Sequence, residues 1–121
     1  MKKDKELEFK IVQKINQLLA KVEDIPKEFI PKVNVSNDLA YPYIDIGFDG
    51  TLYLVVRERG IEQERIIYNN LDLLLREIFE RLSFELAVKY ELENRKDDSE
   101  YSLKKIEKIQ NDYLKKFNED W

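Results

Sequence analysis

The sequence contains neither cysteine nor histidine among its 121 residues. Without cysteine, a disulfide scaffold, a thiolate zinc site and a cysteine nucleophile are all excluded. Without histidine, the chain lacks the commonest general base and a leading metal ligand. Ser-His-Asp hydrolysis, HExxH metal sites and histidine-based ribonuclease chemistry are therefore impossible. No other catalytic constellation is recognisable, so we expect no enzymatic activity, no cofactor and no metal.

Long apolar runs are also missing, because no stretch approaches the 18 residues of a membrane span. The charged start, Met1–Glu6, is not followed by the apolar segment of a secretory signal. The balance of 21 basic and 25 acidic residues is too mild for a large single-sign field and argues against non-specific nucleic-acid binding. We therefore expect a cytoplasmic protein with no membrane or nucleic-acid partner, folded as a single domain over residues 1–121.

The hydrophobic pattern predicts an α+β fold with an N-terminal helix, a three-stranded antiparallel meander and two C-terminal helices packed on the sheet. Apolar residues at three- and four-residue steps predict helices over residues 4–22, 71–95 and 100–118. Alternating and apolar runs with turn signals predict the meander over residues 42–69. Strands segregated from helices along the chain favour α+β over α/β.

The longest predicted helix carries one apolar stripe, which we expect to pack on the sheet. Its central members are Leu75, Ile78, Phe79, Leu82 and Leu86. Asparagine is a favoured residue before the first turn of a helix, and Asn69 or Asn70 would cap this one. Asp4 would cap the N-terminal helix in the same way.

The length of the loop between the first two strands decides which side chains share a face of the sheet. Asp49-Gly50 between apolar runs is a strong hairpin signal. Loops of two or four residues both put Ile44 and Ile46 on the face of Tyr53 and Val55. A three-residue loop would change that pairing, because shifting the register by one residue exchanges the faces.

Two polar segments are candidate sites, and each has a structural alternative. Arg57–Glu62 is either a solvated hairpin tip, whose charges prevent edge aggregation, or a recognition patch suited to carboxylates. Tyr90-Glu91 with Arg95 contains an i, i+4 helix pair, Glu91 and Arg95, that stabilises the helix by itself. The functional alternative is that this helix segment contacts the hairpin tip or a partner.

Tyrosines on the predicted strands are either ordinary strand residues that pack in the core or exposed anchors of an interface. Together with the two polar segments, they give one set of candidate partner-binding residues. The set is Glu58, Arg59, Glu62, Tyr43, Tyr53, Tyr90, Glu91 and Arg95.

An ordered series of short motifs carries a family resemblance over residues 40–95. The motifs are Tyr41–Ile46, Gly50, Tyr53–Glu62, Leu71–Leu75, Ile78-Phe79-Glu80, Ser83-Phe84, Ala87, Tyr90-Glu91 and Arg95. Together they resemble the immunity protein 63 family of bacterial polymorphic toxin systems, with its hairpin ending in Glu-Arg-Gly and its helix built around Ile-Phe-Glu. The chain departs from the pattern at Arg76-Glu77, where relatives tend to carry an aromatic pair.

The resemblance implies an immunity protein that neutralises a cognate toxin domain by binding it, without catalysis, with the toxin encoded by an adjacent gene. A small acidic secretion or effector chaperone is the alternative, and it would bind an extended segment along a sheet edge. An enzyme using Glu58, Tyr90 or Glu91 is a third reading, which requires a deep pocket joining the hairpin tip to the long helix.

Overall fold

The computed structural model describes residues 4–94 and 103–121 of the chain. Its elements are α1 (Lys5–Leu19), a short 3-10 helix (Lys27–Phe29), β1 (Tyr43–Ile46), β2 (Leu52–Glu58), β3 (Ile61–Tyr68), α2 (Leu71–Glu93) and α3 (Leu103–Phe117). The three strands form one antiparallel sheet in the order β1-β2-β3. The predicted α+β architecture is therefore confirmed.

The helices begin where the sequence places their caps. Asp4 Oδ1 accepts a hydrogen bond of 3.0 Å from the Leu7 N–H, and Asn70 Oδ1 accepts one of 3.1 Å from the Leu73 N–H. Each satisfies a backbone donor of the first turn that has no partner inside the helix.

The ends of the helices differ from the prediction or lie outside the described residues. Helix α1 ends at Leu19, earlier than predicted, because the chain tightens into i, i+3 bonds there. In these bonds Lys21 N–H donates to Leu18 O and Val22 N–H donates to Leu19 O, both at 3.2 Å. The predicted end of the second helix at residue 95 and the predicted start of the third at residue 100 lie outside the described residues.

One hydrophobic cluster joins the inner face of the sheet to all three helices. The expected stripe of α2 lies in this cluster, since all five of its central members are buried. Helix α3 packs chiefly on α2, where the Phe117 and Phe79 rings meet edge to face with centroids 4.9 Å apart. The Trp121 ring lies against the same Phe79, 5.7 Å away.

The register of the first hairpin corrects the predicted assignment of side chains to faces. Ile46 pairs with Leu52, and Asp45 pairs with Tyr53, so Ile44 and Ile46 do not share a face with Tyr53 and Val55. The Gly47 N–H donates to Thr51 O at 2.8 Å, which leaves residues 48–50 as a three-residue loop. Its last residue, Gly50, has φ +86°, the left-handed conformation that this loop type requires. The odd loop length exchanges the faces.

The second hairpin has a two-residue turn followed by a bulge. Arg59 and Gly60 have φ values of +52° and +78°, the signature of a type I′ turn. Beyond it Arg57 pairs with Glu62 whereas Val56 pairs with Glu64, so Gln63 has no opposite residue. The bulge turns Glu62 onto the outer face of the sheet, away from the helices.

The segment between α1 and β1 covers the free edge of β1. The Ile44 N–H donates to Lys32 O at 2.9 Å, and the Asn34 N–H donates to Ile44 O at 2.7 Å. Further along, the Ala40 N–H donates to Arg57 O at 2.9 Å, so the segment also reaches the end of β2. Strand β3 is left as the outer strand of the sheet on the other side.

Candidate functional site

The outer face of the sheet carries a polar cluster centred on Arg65. Its guanidinium bonds to Asp45 Oδ2 at 3.1 Å and to Glu62 Oε1 at 2.9 Å. It also lies over the Tyr53 ring, 5.0 Å from the centroid. This Arg65 cluster consists of Asp45, Tyr53, Glu62 and Arg65. The hydrogen bonds that Arg65 donates, first to Glu62 and then to Asp45, raise the pKa of Arg65, so the cluster holds one positive charge between two carboxylates.

Tyr43 supports this cluster from a buried position. Its surface is only 6% exposed, so its ring contributes to packing more than to accessible surface. Burial is the main cause that raises the pKa of its hydroxyl, and nearby Asp45 adds to the shift whereas Arg57 and Arg65 oppose it. The hydroxyl therefore stays protonated at neutral pH.

Arg57 connects the hairpin tip to the preceding segment. Its guanidinium bonds to Asp38 Oδ1 at 3.2 Å and donates to Gly60 O at 2.8 Å. The Arg59 N–H also donates to Asp38 O at 3.3 Å. Glu58 and Arg59 themselves are exposed at the tip. The backbone at the tip is thus fixed while its two outermost charged side chains project into solvent.

Tyr90 and Glu91 lie near the end of α2, where Tyr90 shares surface recesses with residues of α3. Tyr90 is half exposed and lines a recess with Tyr113 and Lys116 of α3, whereas Glu91 is buried. Within residues 4–94 and 103–121, Glu58 and Arg59 form no ion pair with this segment. Arg95 lies outside the described residues. The described candidate residues therefore form two groups. The hairpin group is Tyr43, Tyr53, Glu58, Arg59 and Glu62, and the separate helix-end group is Tyr90 and Glu91.

Sequence reasoning missed Arg65 and Asp45 as members of the site. A loop of two or four residues puts Ile44 and Ile46 on the face of Tyr53, and it therefore puts Asp45, which lies between them, on the opposite face. With the three-residue loop, Asp45 is the direct cross-strand neighbour of Tyr53, and Arg65 is that of Val55. The Gly at position 50 was the available signal, since a glycine closing a three-residue loop is a common hairpin pattern.

A second surface feature, a groove, lies between α2 and the segment that precedes β1. Its volume is about 320 Å³. It is lined by Phe29, Pro31, Ala40, Tyr41, Pro42, Val56, Glu64, Glu77, Ile78, Glu80, Arg81, Leu82, Phe84, Glu85 and Gln110. At one end Arg81 makes a bidentate pair with Glu64, at 2.8 and 3.2 Å. The Arg81 Nε–H donates to Glu77 at 3.0 Å, so this arginine links α2 to β3.

The described part of the chain shows neither a metal-binding cluster nor a membrane-spanning helix. No group of three or more Asp, Glu, His or Cys side chains there is arranged to hold a metal ion. Among the described helices, none is both long and apolar enough to span a bilayer.

Comparison with known proteins identifies the family. The family described as Immunity protein 63 matches residues 49–121, from the first hairpin turn through β2, β3, α2 and α3. The match covers more than half of the chain, so the chain belongs to the immunity protein 63 family, as its motifs indicated. Neither the curated proteins nor the solved structures gave a match to this chain.

Proposed function

We propose that this protein is an immunity protein that neutralises a cognate bacterial toxin domain by binding it directly, without catalysis. Membership of the immunity protein 63 family is the observation that carries the proposal. The toxin is expected to be the product of an adjacent gene, and the complex forms in the cytoplasm of the producing cell. Binding to a folded toxin domain requires a compact, preorganised surface.

The hairpin group supplies such a surface. Glu62 and Tyr53 are held in place by Arg65, and the tip is held by Arg57 and Asp38. Side chains that are fixed before binding lose less conformational entropy when the complex forms. Glu58 and Arg59 add exposed charges beside them, which suit a partner with complementary charge.

The helix-end group gives a second contact region in the same proposal. Tyr90 presents an aromatic ring beside Tyr113, and tyrosine is enriched among the energetically important residues of interfaces. The sequence groups Glu91 and Arg95 with Tyr90, and Arg95 stays a proposed partner-binding residue. Glu91 is buried, so among the described residues of this group Tyr90 is the proposed direct contact. If the partner contacts only one of the two groups, only substitutions in that group will weaken its binding.

The affinity must be high, because a few free toxin molecules are enough to harm the cell. Binding at nanomolar concentration corresponds to about 12 kcal/mol. An interface of roughly 1,600 Å² supplies such affinities when aromatic or arginine anchors lie near its centre. Tyr53 and Arg65 have the required chemistry and lie side by side on the outer face.

Co-expression with the neighbouring toxin tests the proposal directly. Cells that carry the toxin with this protein should grow, cells that carry the toxin alone should die, and the two purified proteins should elute as a one-to-one complex. The double substitution Glu58→Lys and Glu62→Lys should weaken protection. The matched control is the double substitution Glu6→Lys and Glu107→Lys, at exposed positions of α1 and α3. Equal killing with and without the wild-type protein, and no complex, would exclude the immunity function for that pair.

The chaperone function is kept as a second candidate because of strand β3. This eight-residue strand is mostly exposed and is the outer strand of the sheet, so an extended peptide can add to it by strand pairing. A chaperone should bind an unfolded segment of its client, whereas an immunity protein should bind only the folded toxin domain. Titration with the folded domain and with its unfolded peptides separates the two functions.

A further inference from the structure

The groove beside α2 combines an aromatic wall with an excess of negative charge. Phe29 and Tyr41 meet edge to face, with ring centroids 5.3 Å apart and an interplanar angle of 64°, and Phe84 of α2 lines the same space. Aromatic rings attract cations through the negative potential of their faces. The wall is therefore suited to a positively charged group with an apolar stem.

The charges of the groove do not balance. Four carboxylates, those of Glu64, Glu77, Glu80 and Glu85, line it together with one guanidinium, that of Arg81. Arg81 is already engaged by Glu64 and Glu77 through three hydrogen bonds. Within the described residues, neither Glu80 nor Glu85 forms an ion pair with a basic side chain. The groove thus retains negative charge for which the described chain supplies no cation.

Among the carboxylates of the groove, Glu85 combines partial burial with the absence of an ion-pair partner within the described residues. It is half-buried on α2, and burial raises the pKa of its carboxyl. The pKa of Tyr41 is raised too, first by burial and then by the negative charges of Glu85 and Glu28. Glu85 and Tyr41 line the same groove, so a cation that enters it finds a carboxylate and an aromatic ring in the lining.

We propose that the groove receives one arginine or lysine side chain of the protein partner, with Glu85 as the ion-pair acceptor and Tyr41 as the aromatic contact. The identity of the partner as a toxin domain rests on the proposed function. The volume of about 320 Å³ lies at the lower end of the range of ligand pockets, roughly 300–1,000 Å³. It accommodates a single long side chain rather than a helix or a strand of the partner.

A titration that needs no toxin tests the groove by itself. The probes are N-acetyl-arginine amide and N-acetyl-citrulline amide, which have nearly the same shape but differ in charge. The arginine probe should cause saturable amide shifts at Tyr41, Phe84 and Glu85 in the NMR spectrum of the intact protein, and the citrulline probe should not. The substitution Glu85→Gln should abolish the shifts, whereas Glu107→Gln, at an exposed position of α3, should leave them unchanged. Equal shifts with both probes, or shifts spread evenly over all acidic surfaces, would overturn the proposal.

A second measurement separates this proposal from the proposed function. With the neighbouring toxin domain as the probe, Glu85→Gln should raise the Kd by about tenfold, the change expected for the loss of 1.4 kcal/mol of binding free energy. An unchanged Kd would exclude the groove as a toxin contact while the immunity function stands. If no complex forms with the wild-type protein, the immunity function fails, and the amide shifts alone decide whether the groove binds cationic side chains.

Discussion

The central residues of both faces of the sheet are buried, but different parts of the molecule cover the two faces. On the inner face Leu54 is fully buried in the hydrophobic cluster formed with the helices. On the outer face the next residue, Val55, is also fully buried, yet its cross-strand neighbours are Tyr43 and Arg65. The inner face is covered by other elements of the fold. The outer face is flanked by long polar side chains of the sheet itself, which a partner can contact.

This comparison predicts that stability depends mainly on the inner face. Phe79 is fully buried and contacts both Phe117 and Trp121, so Phe79→Ala should lower the free energy of unfolding by roughly 3–5 kcal/mol. Urea denaturation followed by circular dichroism measures the change. The control is Leu73→Ala on the exposed side of the same helix, which should change stability by less than about 0.5 kcal/mol. A similar loss in both variants would contradict the inner-face assignment.

The outer face should contribute less to stability and more to binding. Arg65→Met keeps an unbranched stem over Tyr53 and removes the two ion pairs, which are partly exposed. Exposed pairs are worth about 0–1 kcal/mol each, so a loss of about 1 kcal/mol is expected, together with much weaker toxin binding. Thermal unfolding and isothermal titration calorimetry give the two values. A stability loss as large as that of Phe79→Ala would show that the outer face is a second core.

At the hairpin tip the same comparison predicts opposite signs for stability and binding. Arg59 has a positive φ, which asparagine adopts more easily, and Asn-Gly is the preferred sequence of a type I′ turn. Arg59→Asn should therefore raise the free energy of unfolding by about 0.5 kcal/mol and weaken toxin binding through the lost charge. Parallel unfolding and binding assays would show it. A destabilised variant would mean that the guanidinium has a structural role at the tip.

The smallest expected effect concerns the pH dependence at Glu85. Because burial raises the pKa of Glu85 in the folded protein, its ionised form disfavours folding at neutral pH. Glu85→Gln should therefore melt slightly higher than the wild type at about pH 7, and the difference should disappear near pH 3.5, where the wild-type carboxyl is protonated in both states. Melting curves of both proteins at the two pH values test it. A difference that grows on acidification would have the wrong sign.

Much of the fold follows from local signals, and the errors arise where non-local geometry decides. The caps at Asp4 and Asn70 and the stripe of α2 depend on residues within one or two turns, and they were predicted correctly. The faces of the first hairpin were predicted wrongly, because the bond between Gly47 and Thr51 sets an odd loop length. The bulge at Gln63, which brings Glu62 beside Arg65, has no clear signature in the sequence.

The groove could not be predicted at all, for a related reason. Phe29 and Tyr41 belong to an irregular segment, and Glu85 belongs to a helix more than forty positions further along the sequence. Their proximity depends on how the segment before β1 crosses the end of β2, through the bond between Ala40 and Arg57. The hydrophobic periodicity of the sequence does not predict such a crossing. The proximity of the aromatic rings and the carboxylates is therefore visible only in the folded structure.

The position of Trp121 gives the protein a built-in optical probe. It is the single tryptophan of the sequence, its ring is tilted by 40° against Phe79, and its indole nitrogen is buried. Indole emission shifts to longer wavelength when the ring moves from an apolar environment into water. Excitation near 295 nm, a wavelength at which tyrosine absorbs weakly, will therefore report selectively on the packing of Trp121 against α2, without any attached dye.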